Sequence, residues 1–331
     1  MRLIKPSIEV LPIGVDIFKR IETIGRVCVR SEDKITDESA MKFCRDRLKS
    51  GHTAIFNHGI AYLKYDKVID GKYLFRLLAE FPHIKFGRTP ASIYLAISMR
   101  CYLDYRSAIT DDRFKFIDST DEDVYNYFKL SIFIRSPFLD IDVEEDMPIV
   151  RDYFYNITEE ECMIECPSIV HISVKFTTDR GITHELVRHT AAAFMQESTR
   201  WCNYSGNKFG NEITYIKPFW VEEVPMNETD DDTMFKQATR RIEQWYLAFI
   251  KHGWTAQQAR SILPNTLKSD IWVTATLKEW YGATINCKVG DISYEERKGL
   301  FPQRTHKTAH PQMIEVMDMV KIELDKLGYG N

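Results

Sequence analysis

The chain has 331 residues with 44 Lys+Arg against 48 Asp+Glu, a formal net charge of −4, and it is 44% hydrophobic and 12% aromatic. That is globular composition, which excludes disordered, collagenous and coiled-coil classes. Weak acidity argues against a nucleic-acid polymer as partner, although a few local arginines can still hold a nucleotide-sized anion.

In chain order, the start MRLIKPSIEVLPIG carries Pro6, Glu9 and Pro12 where a signal peptide needs an unbroken apolar run. The longest apolar stretch, Ala91 to Met99, falls far short of the ~20 residues a bilayer span requires. The expectation is therefore a cytoplasmic protein with no membrane partner. Seven cysteines, an odd number at scattered positions, read as reduced thiols and not as a disulfide framework. Cys162 and Cys166 lie close together but have no second ligand pair nearby, so no metal is expected there. Residues 110–161 are polar, acidic and aromatic-rich and read as a peripheral insertion. The acidic runs Asp140–Asp146 and Glu228–Asp232 read as solvated loops or helix starts.

Ser168 to Thr177 alternates as a strand, with Val170, Ile172, Val174 and Phe176 on one face. This puts His171 on the polar, solvent face. Asp179 is placed to cap a helix that continues through Leu186, His189 and Ala193. Asn211 to Lys217 reads as a further strand, ended by Pro218. Thr233 to His252 is an amphipathic helix whose inward stripe is Phe235, Ala238, Ile242, Trp245, Phe249 and Ile250, with Gly253 at its end. Thr255 caps a helix that Pro264 stops. The last helix begins at Pro311, buries Met313, Val316, Met317, Val320 and Leu324, and ends at Gly328. Helices with several definite strands make the class α+β.

A Walker loop, a GxGxxG and a GxSxG are all missing. His184, Glu185 and His189 miss the HExxH spacing, because residues at i and i+5 stand about 500° apart around a helix. The densest polar stretch is Arg188-His189-Thr190, then Gln196-Glu197-Ser198-Thr199-Arg200, then Asn203, Tyr204 and Ser205. Such a set grips a phosphate through charge-assisted, bidentate bonds. It also describes a polar helix end satisfied by local hydrogen bonds, and the residues alone slightly favour that second reading.

The run DRGITHELVRHTAAAFMQESTRWCNYS, Asp179 to Ser205, resembles the signature of the flavin-dependent thymidylate synthases. That family carries RHR, seven residues, then Ser, and Arg188, His189 and Ser198 stand at the matching places. Gly51 to His58 resembles its N-terminal GHxxxxEH element, and Ala259 to Pro264 its ARxxLP element. Arg304 with Ala309-His310-Pro311-Gln312-Met313 resembles its C-terminal Arg and AHPQM element. Together the elements span residues 51 to 313 in the right order, which makes the resemblance specific.

The resemblance implies a mixed sheet flanked by helices, with insertions, in one catalytic domain over 1–331, and a homotetramer with sites at subunit interfaces. It implies FAD reduced by NADPH, methylenetetrahydrofolate as carbon donor and dUMP as substrate, with no enzyme nucleophile. Arg304 matches the arginine that polarises the uracil, and Arg260 one that contacts dUMP. Gln196, Glu197, Ser198, Thr199 and Arg200 match a nucleotide loop from a neighbouring subunit; Glu185, Leu186, Val187 and Arg188 match the nucleotide's other side. His52, Arg188, His189, Thr190 and Gln196 match flavin contacts, as do Thr276, Leu277 and Lys278.

Several positions depart from the pattern. Thr190 replaces the second arginine of RHR, Thr276 a flavin-binding Asn, Gly282 a His or Asn, Asn57 a Glu and Trp201 a Tyr. Residues 282–303 read as a loop insertion, so the register of Arg304 rests on the AHPQM anchor. Two alternatives stand beside the main reading: a phage-type homologue that hydroxymethylates dUMP or acts on dCMP, and a non-catalytic nucleotide- or flavin-binding subunit.

Overall fold

Short strands and helices are interspersed along the described residues. The computed structural model describes residues 1–66, 84–101, 155–222, 230–282 and 299–330. They fall into two units, one of Met1–Leu11, Arg26–Asp33 and Ser173–Asn331, the other of Pro12–Gly25 and Lys34–Ile172. Both are α+β.

In the first unit, β1 (Arg2–Ile4) pairs in parallel with β9 (Thr214–Ile216). A four-stranded sheet runs in the order β2 (Ser7–Val10), β7 (His171–Asp179), β10 (Lys268–Thr276), β8 (Ala193–Gln196). β2 lies antiparallel to β7, with Ser7 opposite Thr177, and β8 antiparallel to β10, with Gln196 opposite Ile271. The two central strands are buried on both faces: Val174, Phe176, Ile271, Val273 and Ala275 have no exposure. The helices are α4 (Arg180–Leu186), α5 (Asp231–Lys251), α6 (Ala256–Ala259), α7 (Leu277–Tyr281), α8 (Leu300–Arg304) and α9 (Pro311–Lys326). α9 forms as the periodicity requires, with Met313, Val316, Met317, Val320 and Leu324 all fully buried, and packs on β2. Gly328 follows it at φ +79°, a left-handed conformation that glycine adopts without strain.

The second unit holds α1 (Ile17–Arg26, its last residue in the first unit), α2 (Ser39–Lys49) and α3 (Glu159–Glu165). Its sheet runs β4 (Lys85–Arg88), β5 (Ile93–Ser98), β3 (Ile60–Tyr65), β6 (Tyr155–Ile157). Gly59 is required where β3 begins, because a Cβ there would stand 2.5 Å from Cδ1 of Ile21. Inside this unit the buried Arg20 guanidinium pairs with Glu159.

Four readings change. His171 is buried, not solvent-facing, because β7 is covered on both sides; its N–H donates to Oη of Tyr62 at 2.9 Å. The helix expected to run to Ala193 stops at Leu186, since Ala193–Gln196 is taken up as an edge strand against β10. Along α5 the inward face is rotated: Thr239, Glu243 and Tyr246 are buried, whereas Trp245 is 52% exposed and Ala238 is exposed. Glu243 tolerates burial by accepting the N–H of Ile213 at 2.8 Å. The second acidic run is a helix start, as expected, with Asp230 capping α5, but Asp232 within it is not solvated: it is buried between the ammonium groups of Lys217 and Lys236, at 2.9 and 2.7 Å. Asp140–Asp146 and most of the expected insertions, 110–154 and 283–298, lie outside the described residues. Tyr155–Ile157, at the end of the first, is the edge strand β6 on β3. No helix among the described residues is long and apolar enough to cross a membrane.

Candidate functional site

α4 begins where β7 ends. Asp179 caps it by accepting the N–H of Ile182 at 2.9 Å. The backbone N–H of Arg180 donates to the carbonyl of Asn265 at 2.8 Å, which docks the Arg260–Leu263 turn and its Pro264 beside the helix. Gln312 and His310 lie near enough to the Asp179 carboxylate to act on its charge. Burial pushes the Asp179 carboxyl up, against the opposing pull of the Ile182 N–H and of His310. Three elements far apart in sequence therefore meet at the first turn of α4. On this helix half-buried Arg180 reaches exposed His184 at 3.3 Å, and burial with Arg180 and Arg188 holds the imidazole below its ordinary value.

After Val187, Arg188 and Thr190 are exposed and His189 is buried. The chain then forms β8 and enters the polar loop. Gln196 is fixed by two donated hydrogen bonds, to Oγ1 of Thr183 on α4 at 2.8 Å and to Oγ of Ser269 on β10 at 3.0 Å. From there the chain keeps a two-residue alternation. Glu197 and Thr199 are buried at 3% and 6% exposure, Gln196 and Ser198 are half-buried, and Arg200 is exposed. Thr199 Oγ1 accepts from Arg260 at 3.4 Å, and the Ser198 N–H donates to the Cys28 carbonyl at 2.9 Å. Gln196, Ser198, Arg200, Arg188 and Arg260 are thus the groups a phosphate-bearing ligand can reach. The side chains of Leu186, Glu197, Thr199 and Leu277 face the interior.

Behind the loop lies a charged floor that the motifs did not indicate. Glu197 accepts from Nζ of Lys268 at 2.9 Å and from Oη of Tyr204 at 3.3 Å, with Arg30 3.6 Å away. Asp270 pairs with Lys268 and Arg30 and accepts from Oγ1 of Thr177 at 2.7 Å. Burial opposes ionisation of Asp270, but Lys268, Thr177 and Arg30 outweigh it and hold the carboxyl below its usual range. Cys202, next to this floor, is pushed up to about 12 by burial and by Glu197, so it is an inert thiol. The floor lines a cavity of about 360 Å³ with Arg2, Lys208 and Phe209. The sequence signal for it was available: Lys268 and Asp270 are the charged residues of an otherwise uncharged strand.

The remaining expected residues take separate places. Thr276 caps α7 in a reciprocal box with Glu279, its Oγ1 accepting the Glu279 N–H at 3.1 Å; Lys278 is exposed. Gly282 ends that helix at φ +83°. Arg304 is the last residue of α8, which packs through Phe301 against Trp280 and Tyr281. Its buried Nε has no hydrogen-bond partner among the described residues. His52 belongs to the second unit, exposed, with Nδ1 at 2.8 Å from Oγ of Ser50, and His58 there is fully buried.

The fold is α+β, and Arg188, Arg200 and Arg260 are exposed beside or within the segment from α4 to the polar loop, side chains of the type that suits an anion. Residues 167–291 match the family described as Thymidylate synthase complementing protein. The chain is 28% identical over 138 residues to the flavin-dependent thymidylate synthase of Pyrococcus abyssi, covering 38% of this chain and 54% of that one. It is 29% identical over 100 residues to the enzyme of the same name from Geobacter sulfurreducens, covering 30% and 40%. The chain thus spans about half the length of the curated relatives it matches. Over that stretch the chain is similar to the flavin-dependent thymidylate synthases. A crystal structure of the UMP/dUMP methylase PolB from Streptomyces cacaoi bound with 5-Br dUMP aligns over 100% of this chain and 95% of that one, at 12% identity and a TM-score of 0.36.

Proposed function

We propose that this protein is a flavin-dependent thymidylate synthase that converts dUMP to dTMP, with methylenetetrahydrofolate as carbon donor, NADPH as reductant and FAD as cofactor, working as a cytoplasmic homotetramer. The observation that carries the reading is the meeting of Arg260 with Thr199, and of Asn265 and Gln312 with the start of α4. It brings the ARxxLP element to the polar loop and the AHPQM element to the start of α4.

The chain's own groups divide the work. Arg188, Arg200 and Arg260 hold the nucleotide's phosphate, aided by the Ser198 hydroxyl, and arginine's planar fork suits that task. Arg304 presents a permanently protonated guanidinium to the uracil and favours the ionised ring. No thiol attack on the ring is required, in keeping with the raised pKa of the Cys44, Cys162, Cys166 and Cys202 thiols. The donor set fits an anion-bearing cofactor: Arg188 and Lys278 are exposed cations, and Thr178 at the β7–α4 junction carries a buried hydroxyl with no hydrogen-bond partner among the described residues. Bound there, FAD supplies the redox chemistry and the protein supplies position and charge. His189 and Thr190 would stand beside it.

The test is mass spectrometry of the product formed from dUMP, methylenetetrahydrofolate and NADPH, with flavin uptake followed by absorbance. A methylated product with bound FAD is expected. A hydroxymethylated product, or turnover of dCMP alone, overturns the reaction proposed, and absence of both flavin and product overturns the enzyme.

A further inference from the structure

The loop that would hold the nucleotide is pinned from behind by charge. Glu197 lies between two outward residues, Gln196 and Ser198, and its own side chain points the other way into the protein. Its carboxylate takes Lys268 at 2.9 Å and Tyr204 at 3.3 Å, and its N–H donates to the Asp270 carbonyl at 2.8 Å. Lys268 and Glu197 side chains are 11% and 2% exposed, so water screens their attraction little. Arg30 and Asp270 complete a set of two acids and two bases with no net charge. The amides that follow are bonded in turn: Ser198 to Cys28 at 2.9 Å, Trp201 and Cys202 to the Ser198 carbonyl at 3.1 and 2.9 Å.

We infer that Glu197 and Lys268 are positioning residues that fix the outward set of Ser198 and Arg200, without themselves touching the ligand. The inference rests on the proposed nucleotide role of that loop. A buried charge left without its partner is strongly destabilising, whereas removal of both charges is often tolerated. The decisive variant is therefore the double Glu197→Gln, Lys268→Met. Tyr204→Phe, which removes one hydroxyl and keeps the charges paired, is the milder companion.

Hydrogen exchange reads the positioning without any ligand. Exchange at the amides of Ser198, Trp201 and Cys202 should quicken at least tenfold in the double variant and less in Tyr204→Phe, with α9 unchanged. Titration with dUMP should show affinity weakened tenfold or more in the double variant, while FAD affinity and turnover at saturating dUMP stay near those of the unmodified protein. Unchanged exchange at these amides overturns the inference, as does a fall in turnover with dUMP affinity intact. If the unmodified protein fails to bind dUMP, the proposed function falls, and the exchange arm still decides the positioning role.

Discussion

Replacing Asp179 separates the cap from the charge at the helix start on which the site is built. Its carboxylate accepts the Ile182 N–H at 2.9 Å, and both residues are buried, at 5% and 1% exposure. Asp179→Ala deletes the acceptor. A lost N-cap costs about 1 kcal/mol, with a range of roughly 0.5–2. Water cannot readily reach the orphaned N–H, which moves the expectation to about 1–3 kcal/mol. Asp179→Asn keeps an oxygen acceptor of equal capping rank and removes a charge that burial disfavours. An acid whose folded pKa is raised is penalised while ionised, so the asparagine variant should match or exceed the unmodified protein at neutral pH. That advantage should fade as the pH falls through the folded value and the natural carboxyl takes up its proton. Urea unfolding of both variants at neutral pH and in the carboxylate range measures this. Equal destabilisation by alanine and asparagine would refute the cap argument, and would assign the role to the charge beside His310.

Other expectations follow from the same geometry. Arg304→Ala should lower turnover on the order of 100- to 1000-fold while changing dUMP affinity far less; single-turnover kinetics beside Arg297→Ala and Lys307→Ala check it, and near-normal turnover in Arg304→Ala with another variant dead means the register across 282–303 is misdrawn. Asp270 is held below its ordinary value in the fold, so its contribution is present above the unfolded value of about 3.9 and is lost as the pH falls through the folded one; acid unfolding should therefore be less steep in Asp270→Asn. Met317→Ala should cost about 2–5 kcal/mol, because the side chain is fully buried in α9, whereas Ile322→Ala on the same helix should stay within about 0.5 kcal/mol, since Ile322 is 56% exposed; calorimetry of the pair compares them.

Elements whose signal is local were legible in the sequence. Asp179, Thr255 and Pro311 mark helix starts through groups within one turn of themselves, and all three act as expected. The α9 stripe was readable because its fully buried positions, Met313, Val316, Met317, Val320 and Leu324, are apolar and recur at helical spacing. The motif residues could be named for the same reason, since spacing along the chain is a property of the chain.

Tertiary structure decided the rest. Ala193–Gln196 carries no strong preference of its own, and only the free edge of β10 makes it a strand and ends the helix at Leu186. His171 alternates with apolar residues like a surface position, but alternation cannot reveal that a second layer covers the polar face. The inward side of α5 carries Thr239 and Glu243, whose partners come from distant segments such as Ile213. At the site, sequence placed residues 196–200 in one string, and the fold sorted them into outward and anchored sets. Which set a residue joins depends on Lys268, Asp270 and Arg30, whose charges lie far away along the chain and within hydrogen-bond or ion-pair reach in space. Burying a carboxylate is favourable only once its cations are in place, and no local rule carries that information.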